Sequence, residues 1–166
     1  MTKREFLGMA SVGVVAVALV GRRSLTGGSA GTPDANLRIR LTDAEWRARL
    51  SPASYEVLRK GDTEVPGTSP LVGEHRNGTF ACAGCDQALF ASSTKYDSHT
   101  GWPSFWDTLP NATTRHMDLT IARPRTEIRC SACGGHLGHV FDDGPKPTGL
   151  RYCMNGVALA FHPAVV

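Results

Sequence analysis

The amino-acid sequence predicts a mainly β domain that begins with two short helices. Helix-capping residues occur between positions 42 and 61, and beyond them Gly, Pro and Asn recur between short apolar stretches. The second pattern is typical of short strands joined by long irregular connections. Two Cys-x-x-Cys pairs, far apart in the chain, also indicate a domain stabilised by a metal. With 166 residues the chain is long enough for one such domain with a modest core.

The two helices are predicted from their ends. Thr42 and Glu45 have the spacing of a capping box, in which each residue satisfies a backbone N–H of the other. We therefore expect a helix over residues 43–50. A second short helix is expected over residues 52–60, because it begins with a proline and is followed by Gly61.

The N-terminal 30 residues predict an export signal. Lys3 and Arg4 precede an apolar run over residues 9–20, which is short for a membrane span and suits the apolar region of a signal peptide. The choice between twin-arginine and Sec export stays open, because Lys3 stands where a twin-arginine signal has its first arginine. An uncleaved membrane anchor is the alternative. Residues 31–40 are expected to be a linker, and residues 41–166 the domain.

The net charge argues against nucleic-acid binding. The first 30 residues hold four Lys or Arg and one Glu, and the rest of the chain holds 14 basic and 14 acidic residues. The formal charge of +3 therefore belongs to the predicted export segment. A zinc module that binds nucleic acid has a basic footprint, and this domain has no net excess of positive charge.

Four of the five cysteines form two pairs that predict a zinc site. The pairs are Cys82 with Cys85 and Cys130 with Cys133, and two such turns can supply the four thiolates of a tetrahedral zinc. The gap between the pairs is longer than in a compact zinc ribbon, so the metal would join distant parts of one domain. Two structural disulfides are the alternative, because exported proteins meet an oxidising compartment. A non-catalytic zinc-binding interaction module is a further alternative.

The remaining cysteine lies in a predicted C-terminal strand. Side chains alternate along a strand, so Arg151, Cys153 and Asn155 are expected on one face. A nearby guanidinium favours the thiolate form of a cysteine, which makes Cys153 a candidate nucleophile. The alternative is a structural cysteine in the core. Short apolar stretches at 79–81 and 88–90 predict further strands.

Two other segments carry candidate site residues. His136 and His139 precede a turn of two aspartates, a glycine and a proline, and His139 would share a strand face with Phe141. Each histidine could be structural or could transfer a proton. The segment over residues 95–106 is rich in aromatic residues and could be ordinary core or the wall of an apolar pocket.

Taken together, these segments resemble the signature blocks of the B-type methionine sulfoxide reductases. The blocks are TKYDS at 94–98, GWPSF at 101–105, GHLGHVFDDG at 135–144 and RYCMN at 151–155. The resemblance extends from about residue 41 to residue 161. It implies a fold of two antiparallel sheets with short N-terminal helices, and a structural zinc held by Cys82, Cys85, Cys130 and Cys133.

The resemblance also implies a reaction and the residues that perform it. The family reduces the R epimer of methionine sulfoxide, mainly in proteins, and Cys153 matches the nucleophile that becomes a sulfenic acid. The residues that match its oxygen-binding and proton-donating groups are His139, Asp143 and Asn155. The residues expected to border the substrate are Trp102, His136 and Arg151. We expect a monomer that acts on oxidised proteins outside the cytoplasm, without nucleic acid.

The chain departs from many relatives at Thr100, where they carry a second, resolving cysteine just before the GWPSF block. With four cysteines assigned to zinc, none remains to form an internal disulfide with Cys153. We therefore expect the sulfenic acid to be recycled directly by an external reductant, such as a thioredoxin-like protein or another thiol.

Overall fold

The structure is a computed structural model that describes residues 37–165. The predicted export segment, and the predicted linker up to residue 36, lie outside the described residues. Within residues 37–165, no helix combines the length and the apolar character needed to cross a membrane.

Two short helices open the described part of the chain, as predicted. Helix α1 spans Asp43–Arg49, and its capping box is formed: the Thr42 hydroxyl accepts from the Glu45 N–H, and the Glu45 carboxylate accepts from the Thr42 N–H at 2.7 Å. Helix α2 spans Pro52–Lys60 and ends at Gly61, whose φ of 76° gives the left-handed cap that favours glycine.

Nine strands in residues 37–165 form two antiparallel sheets, which confirms the predicted fold class. In chain order they are β1 (Gly78–Cys82), β2 (Ala88–Ala91), β3 (Lys95–Tyr96), β4 (Ser104–Phe105), β5 (Thr113–Asp118), β6 (Arg125–Cys130), β7 (His136–Phe141), β8 (Arg151–Met154) and β9 (Leu159–Pro163). The smaller sheet has the order β2-β1-β9, and the larger one has the order β3-β4-β8-β7-β6-β5.

Aromatic side chains from both sheets form the centre of the core. Phe80 of the smaller sheet meets Phe105 of the larger sheet edge to face, with ring centroids 4.9 Å apart. Phe90 stacks on Phe105 with ring centroids 4.3 Å apart. All three rings are fully buried. Such pairs add to the free energy of burial, so this cluster holds the two sheets against each other.

Strand β8 lies inside the larger sheet and positions Cys153. Tyr152 and Met154 are buried in the core, whereas Arg151 and Cys153 are half-buried on the opposite face. The strand pairs with β4 on one side and with β7 on the other. This pairing places Cys153 directly opposite His139, so two predicted site residues from distant segments become cross-strand neighbours.

Candidate active site and four-cysteine centre

The two Cys-x-x-Cys pairs occupy turns of the same shape at the ends of two strands. In the first, the Asp86 N–H donates to the Cys82 carbonyl at 2.8 Å, and Asp86 has a φ of 62°. In the second, the Gly134 N–H donates to the Cys130 carbonyl at 2.8 Å, and Gly134 has a φ of 69°. Each turn therefore directs both of its sulfurs toward the other turn.

The four sulfurs converge at one point. They lie within 4.8 Å of one another, with Cys82 and Cys133 3.8 Å apart and Cys85 and Cys130 3.5 Å apart. A tetrahedral zinc with Zn–S bonds of about 2.3 Å requires S···S edges of about 3.8 Å. All five cysteines of the chain are free thiols, so the disulfide alternative is not what the structure shows. Four sulfur donors at these distances can hold a metal ion.

This four-cysteine centre joins the two sheets. One pair follows β1 of the smaller sheet and the other follows β6 of the larger sheet. Helix α2 contributes Arg59, whose guanidinium donates to the Cys133 carbonyl at 3.1 Å. A metal here would therefore cross-link elements that are distant in the chain, as the long gap between the pairs predicts.

A separate small pocket, of about 100 Å³, contains Cys153. Its lining combines the cysteine with two aromatic side chains and several polar groups. The lining residues are Thr63, Trp102, Arg125, Gly138, His139, Phe141, Cys153 and Asn155. A pocket with one aromatic wall and a few convergent polar groups is suited to a small ligand that has an apolar end and a polar end.

His139 is held by a buried carboxylate. Its Nε2 lies 2.7 Å from Oδ2 of Asp118, and the same oxygen accepts from the Arg125 guanidinium at 2.6 Å. Hydrogen bonds from Thr120, and then from His139 and Arg125, hold the pKa of the Asp118 carboxyl well below its usual range. Burial lowers the pKa of His139, and the hydrogen bond to Asp118 opposes that shift in part. The imidazole is therefore oriented by Asp118 and remains neutral over more of the pH range.

A second histidine–carboxylate pair lies behind the first. His136 Nδ1 is 2.6 Å from Oε1 of Glu127, and Oε2 of the same carboxylate accepts from the Arg129 guanidinium at 2.7 Å. Burial raises the pKa of Glu127, but the His136 and Arg129 hydrogen bonds outweigh it and lower this pKa to about 2. His136 packs edge to face against His139 at 5.4 Å and does not line the Cys153 pocket. His136 therefore packs against the His139 ring without lining the pocket.

The backbone of Glu64 fixes two walls of the pocket. Its carbonyl accepts from the Trp102 indole N–H at 2.9 Å, and its N–H donates to the Asn155 side-chain oxygen at 2.9 Å. The Asn155 amide also donates to the Leu137 carbonyl at 3.0 Å. Trp102 and Asn155 are thereby held in one orientation next to Cys153.

Asp143 lies apart from the pocket and is paired with Arg151. The guanidinium donates to both carboxylate oxygens, at 2.8 and 2.7 Å, and it lies 4.3 Å from the centre of the Phe141 ring. This pairing lowers the pKa of Asp143 and raises that of Arg151. Both residues line a neighbouring recess that also contains Thr100. The Thr100 hydroxyl is 3.8 Å from the Cys153 sulfur.

Comparison with known proteins agrees with this geometry. The SelR domain family matches residues 50–163. A peptide methionine sulfoxide reductase MsrB of Agrobacterium fabrum is 50% identical over 127 residues, which cover 76% of this chain and 94% of the relative. One from Thiobacillus denitrificans is 53% identical over 123 residues, or 74% of this chain and 93% of the relative. One from Methanosarcina mazei is 46% identical over 125 residues, which cover 75% of this chain and 89% of the relative.

The chain belongs to the B-type methionine sulfoxide reductase family. Of the site residues predicted for this family member, the structure brings four into one pocket: Trp102, His139, Cys153 and Asn155. His136 lies directly behind that pocket, and Arg151 and Asp143 lie on the side of Thr100. The catalytic role predicted for Asp143 stays a prediction, and in this structure its carboxylate is engaged by Arg151.

Sequence reasoning missed the acidic partners of this family member's histidines. Asp118 is 21 residues from His139, and Glu127 is nine residues from His136. No short motif connects these residues. Strand β6 pairs with both β5 and β7, and this register places Asp118 opposite Arg125 and Glu127 opposite His139. Reading the three strands as one antiparallel meander could have suggested the contacts.

Proposed function

We propose that this chain reduces methionine sulfoxide to methionine, with the R epimer of protein-bound methionine sulfoxide as its substrate. The observation that carries the proposal is the pocket in which the free thiol of Cys153 lies between Trp102, His139 and Asn155. The names of the relatives, peptide methionine sulfoxide reductases at 46–53% identity, support the same reaction. Specificity for one epimer and for protein substrates is the family's pattern and is part of the proposal.

The pocket lining contains both kinds of group that a sulfoxide requires. A methionine sulfoxide sulfur carries a polar oxygen and an apolar methyl group, and these point in different directions. Trp102 and Phe141 supply apolar surface for the methyl group, and His139 and Asn155 supply polar groups for the oxygen. Because the sulfur is a stereocentre, walls fixed on both sides accept one epimer better than the other.

Cys153 is the nucleophile in this proposal. Its thiolate attacks the sulfoxide sulfur and the oxygen takes a proton, which gives an intermediate with a bond between the two sulfurs. The hydroxyl then passes to the Cys153 sulfur, while the bond between the two sulfurs and the S–O bond to the methionine sulfur both break. Methionine leaves with two more electrons than the sulfoxide had, and the oxygen remains on Cys153 as a sulfenic acid, so one thiol is oxidised for each sulfoxide reduced. Groups that stabilise or protonate the oxygen as charge develops on it lower the barrier.

His139 is the proton donor in this proposal, and Asp118 is its positioning residue. Nε2 of His139 is hydrogen-bonded to the Asp118 carboxylate, so Nδ1 is the ring nitrogen that Asp118 does not occupy. The negative charge of Asp118 also stabilises the imidazolium that must form before a proton is delivered. Burial acts against this charged form and lowers the pKa of His139, and the hydrogen bond to Asp118 offsets part of that shift.

Recycling requires a thiol from outside the domain. The Cys153 sulfenic acid condenses with a first thiol to give a mixed disulfide and water, and a second thiol then releases Cys153. Thr100 lies where a resolving cysteine would stand, 3.8 Å from the sulfur. The other four cysteines are gathered in their own cluster. The reductant is therefore a thioredoxin-like protein or a small thiol.

Zinc is the metal we propose for the four-cysteine centre, in a structural role. Four thiolates complete a tetrahedral zinc and leave no position for substrate. We also propose that residues 1–30 direct export of the chain, on the basis of Lys3, Arg4 and the apolar run at 9–20. A twin-arginine route would permit metal loading before transport. Cell fractionation with a tagged full-length chain tests the export: a cytoplasmic location would contradict it.

The test of the activity uses the purified chain, a dithiol reductant, and the separate R and S epimers of N-acetylmethionine sulfoxide. We expect methionine to form from the R epimer in a reaction that needs Cys153, with little or none from the S epimer. Equal turnover of both epimers would contradict the stereochemical part of the proposal. Absence of turnover with a metal-loaded, folded protein would contradict the reaction itself.

A further inference from the structure

A second, larger recess adjoins the Cys153 pocket. It has a volume of about 440 Å³, against about 100 Å³ for the pocket, and the two share Thr63. The recess lies between helix α2 and the loop that follows it. Its lining residues are Pro52, Ala53, Glu56, Val57, Asp62, Thr63, Glu64, Val65, Thr68 and Val157.

The recess is apolar on its surface and acidic at its border. Aliphatic groups come from the first half of α2, from Val157 and from Val65, whose surface is 65% exposed. Three carboxylates line it, those of Glu56, Asp62 and Glu64, and none of its lining residues is Lys or Arg. The Glu64 carboxylate accepts from the Gly156 N–H at 2.6 Å, and one Asp62 oxygen accepts from the Thr63 N–H at 2.8 Å. Glu56 is exposed on α2, so its carboxylate is the one that we use to test for a ligand's charge.

The boundary between pocket and recess is fixed by hydrogen bonds. Thr63 lines both the pocket and the recess. The backbone of the next residue, Glu64, binds the Trp102 indole and the Asn155 side chain. A polypeptide whose oxidised side chain enters the Cys153 pocket must continue across its rim. Successive residues of an extended chain are about 3.3 Å apart, so a neighbouring residue reaches the recess beyond Thr63.

We propose that this recess binds the residues that flank the oxidised methionine in an extended polypeptide substrate. It takes an apolar neighbouring side chain against Val65 and Val157, and its carboxylates favour flanking Lys or Arg over Asp or Glu. This inference rests on the proposed function. It names a specificity site outside the pocket in which the reaction occurs.

The experiment compares kcat/KM for short peptides with that for N-acetylmethionine sulfoxide. The peptides carry R methionine sulfoxide next to Leu, with either Lys or Asp on the following positions. Val65→Glu should lower kcat/KM for the Leu-containing peptides by about tenfold, as expected for loss of one apolar contact, and leave the acetylated amino acid unchanged. Val165→Glu is the matched control, because Val165 is fully exposed and lines neither site.

A charge reversal tests the proposed preference for flanking Lys or Arg. Glu56→Lys should change the ratio of kcat/KM for the Lys peptide to kcat/KM for the Asp peptide by about two- to fivefold in favour of the Asp peptide. This is the size expected for an exposed charge pair. If Glu56→Lys leaves the ratio of the two kcat/KM values unchanged and Val65→Glu leaves kcat/KM for the peptides unchanged, the proposal is overturned. Equal loss for peptides and acetylated amino acid would also overturn it. Failure of the wild type to reduce N-acetylmethionine sulfoxide would instead refute the proposed function.

Discussion

The cysteines of this chain occupy two environments that differ in the groups around each sulfur. In the four-cysteine centre, the sulfurs crowd within 4.8 Å of one another, and three of the four residues are buried. Cys153 is half-buried on the face of β8 opposite the core, with the Thr100 hydroxyl 3.8 Å from its sulfur and His139 on the adjacent strand. The four-cysteine centre can bind a metal, and the Cys153 sulfur can contact a substrate.

In this protein the neighbouring groups, rather than the residue type, decide what a thiol can do. A cluster of four thiols saturates a tetrahedral metal and leaves no sulfur for attack. A single thiol beside a hydroxyl, an imidazole and an aromatic wall has no partner to saturate it, so its sulfur is left for a ligand. Variants in the two environments should therefore affect different observables. Those in the four-cysteine centre should change stability, and those at Cys153 should change turnover.

Cys153→Ser should cause the largest change in turnover. We expect kcat/KM for methionine sulfoxide to fall by about a thousandfold or more, because a serine hydroxyl is a far weaker nucleophile than a thiolate at neutral pH. Metal content and melting temperature should stay at the wild-type values. Activity within about tenfold of wild type would remove Cys153 from the role of nucleophile.

Cys130→Ser and Cys85→Ser should instead act on folding. Structural zinc contributes on the order of 10 kcal/mol to the folding of small domains, so loss of one ligand should release the metal and lower the melting temperature sharply. Metal analysis and calorimetry on the purified variants measure both effects, with Cys153→Ser as the matched cysteine control. A metal-free variant that melts with the wild type would show that the centre has no structural role.

Asp118→Asn should reduce turnover by about a hundredfold, within the usual range for general-acid groups. The carboxylate raises the pKa of His139 against the effect of burial, so its loss should lower that pKa further. A reaction that needs protonated His139 loses rate as pH rises through this pKa, and the variant should lose rate at lower pH than wild type. The charged or titratable groups around His139 are Asp118, Arg125, Glu127, His136 and Cys153.

The control for this variant is Asp86→Asn, which removes the carboxylate of an exposed histidine pair. Its partner His162 lies 2.6 Å away, and neither residue lines the Cys153 pocket. We expect this variant to keep the wild-type pH profile. A pH profile of Asp118→Asn that coincides with wild type, despite lower turnover, would show that Asp118 acts on structure and not on the proton.

Thr100→Cys should have the smallest effect on rate and a clear effect on the oxidised product. The Thr100 oxygen is 3.8 Å from the Cys153 sulfur, so a thiol there needs only a small shift to form a disulfide. After one equivalent of sulfoxide, wild type should hold a sulfenic acid that dimedone traps, and the variant a disulfide by peptide mapping. Thr100→Ser should behave as wild type. A wild-type disulfide from Cys153 to the four-cysteine centre would mean that a zinc ligand also serves as resolving thiol.

The sequence alone determined much of this protein, because the relevant signals are local. The capping box at Thr42, the proline and glycine that bound α2, and the period of two along β8 each depend on residues within one turn or strand. The Cys-x-x-Cys spacing likewise predicted the four-cysteine set, and the family blocks predicted Cys153 and His139 as site residues, whose roles stay predictions.

Only the tertiary structure decided which acidic groups serve the histidines and where Asp143 lies. The contacts of His139 with Asp118 and of His136 with Glu127 depend on the register of β5, β6 and β7, and a slip of one residue would turn those side chains to the other face. The shared position of Thr63 between pocket and recess depends on a loop held by Trp102 and Asn155. Such contacts join residues far apart in the chain, so packing and strand pairing fix them, and no local pattern records them.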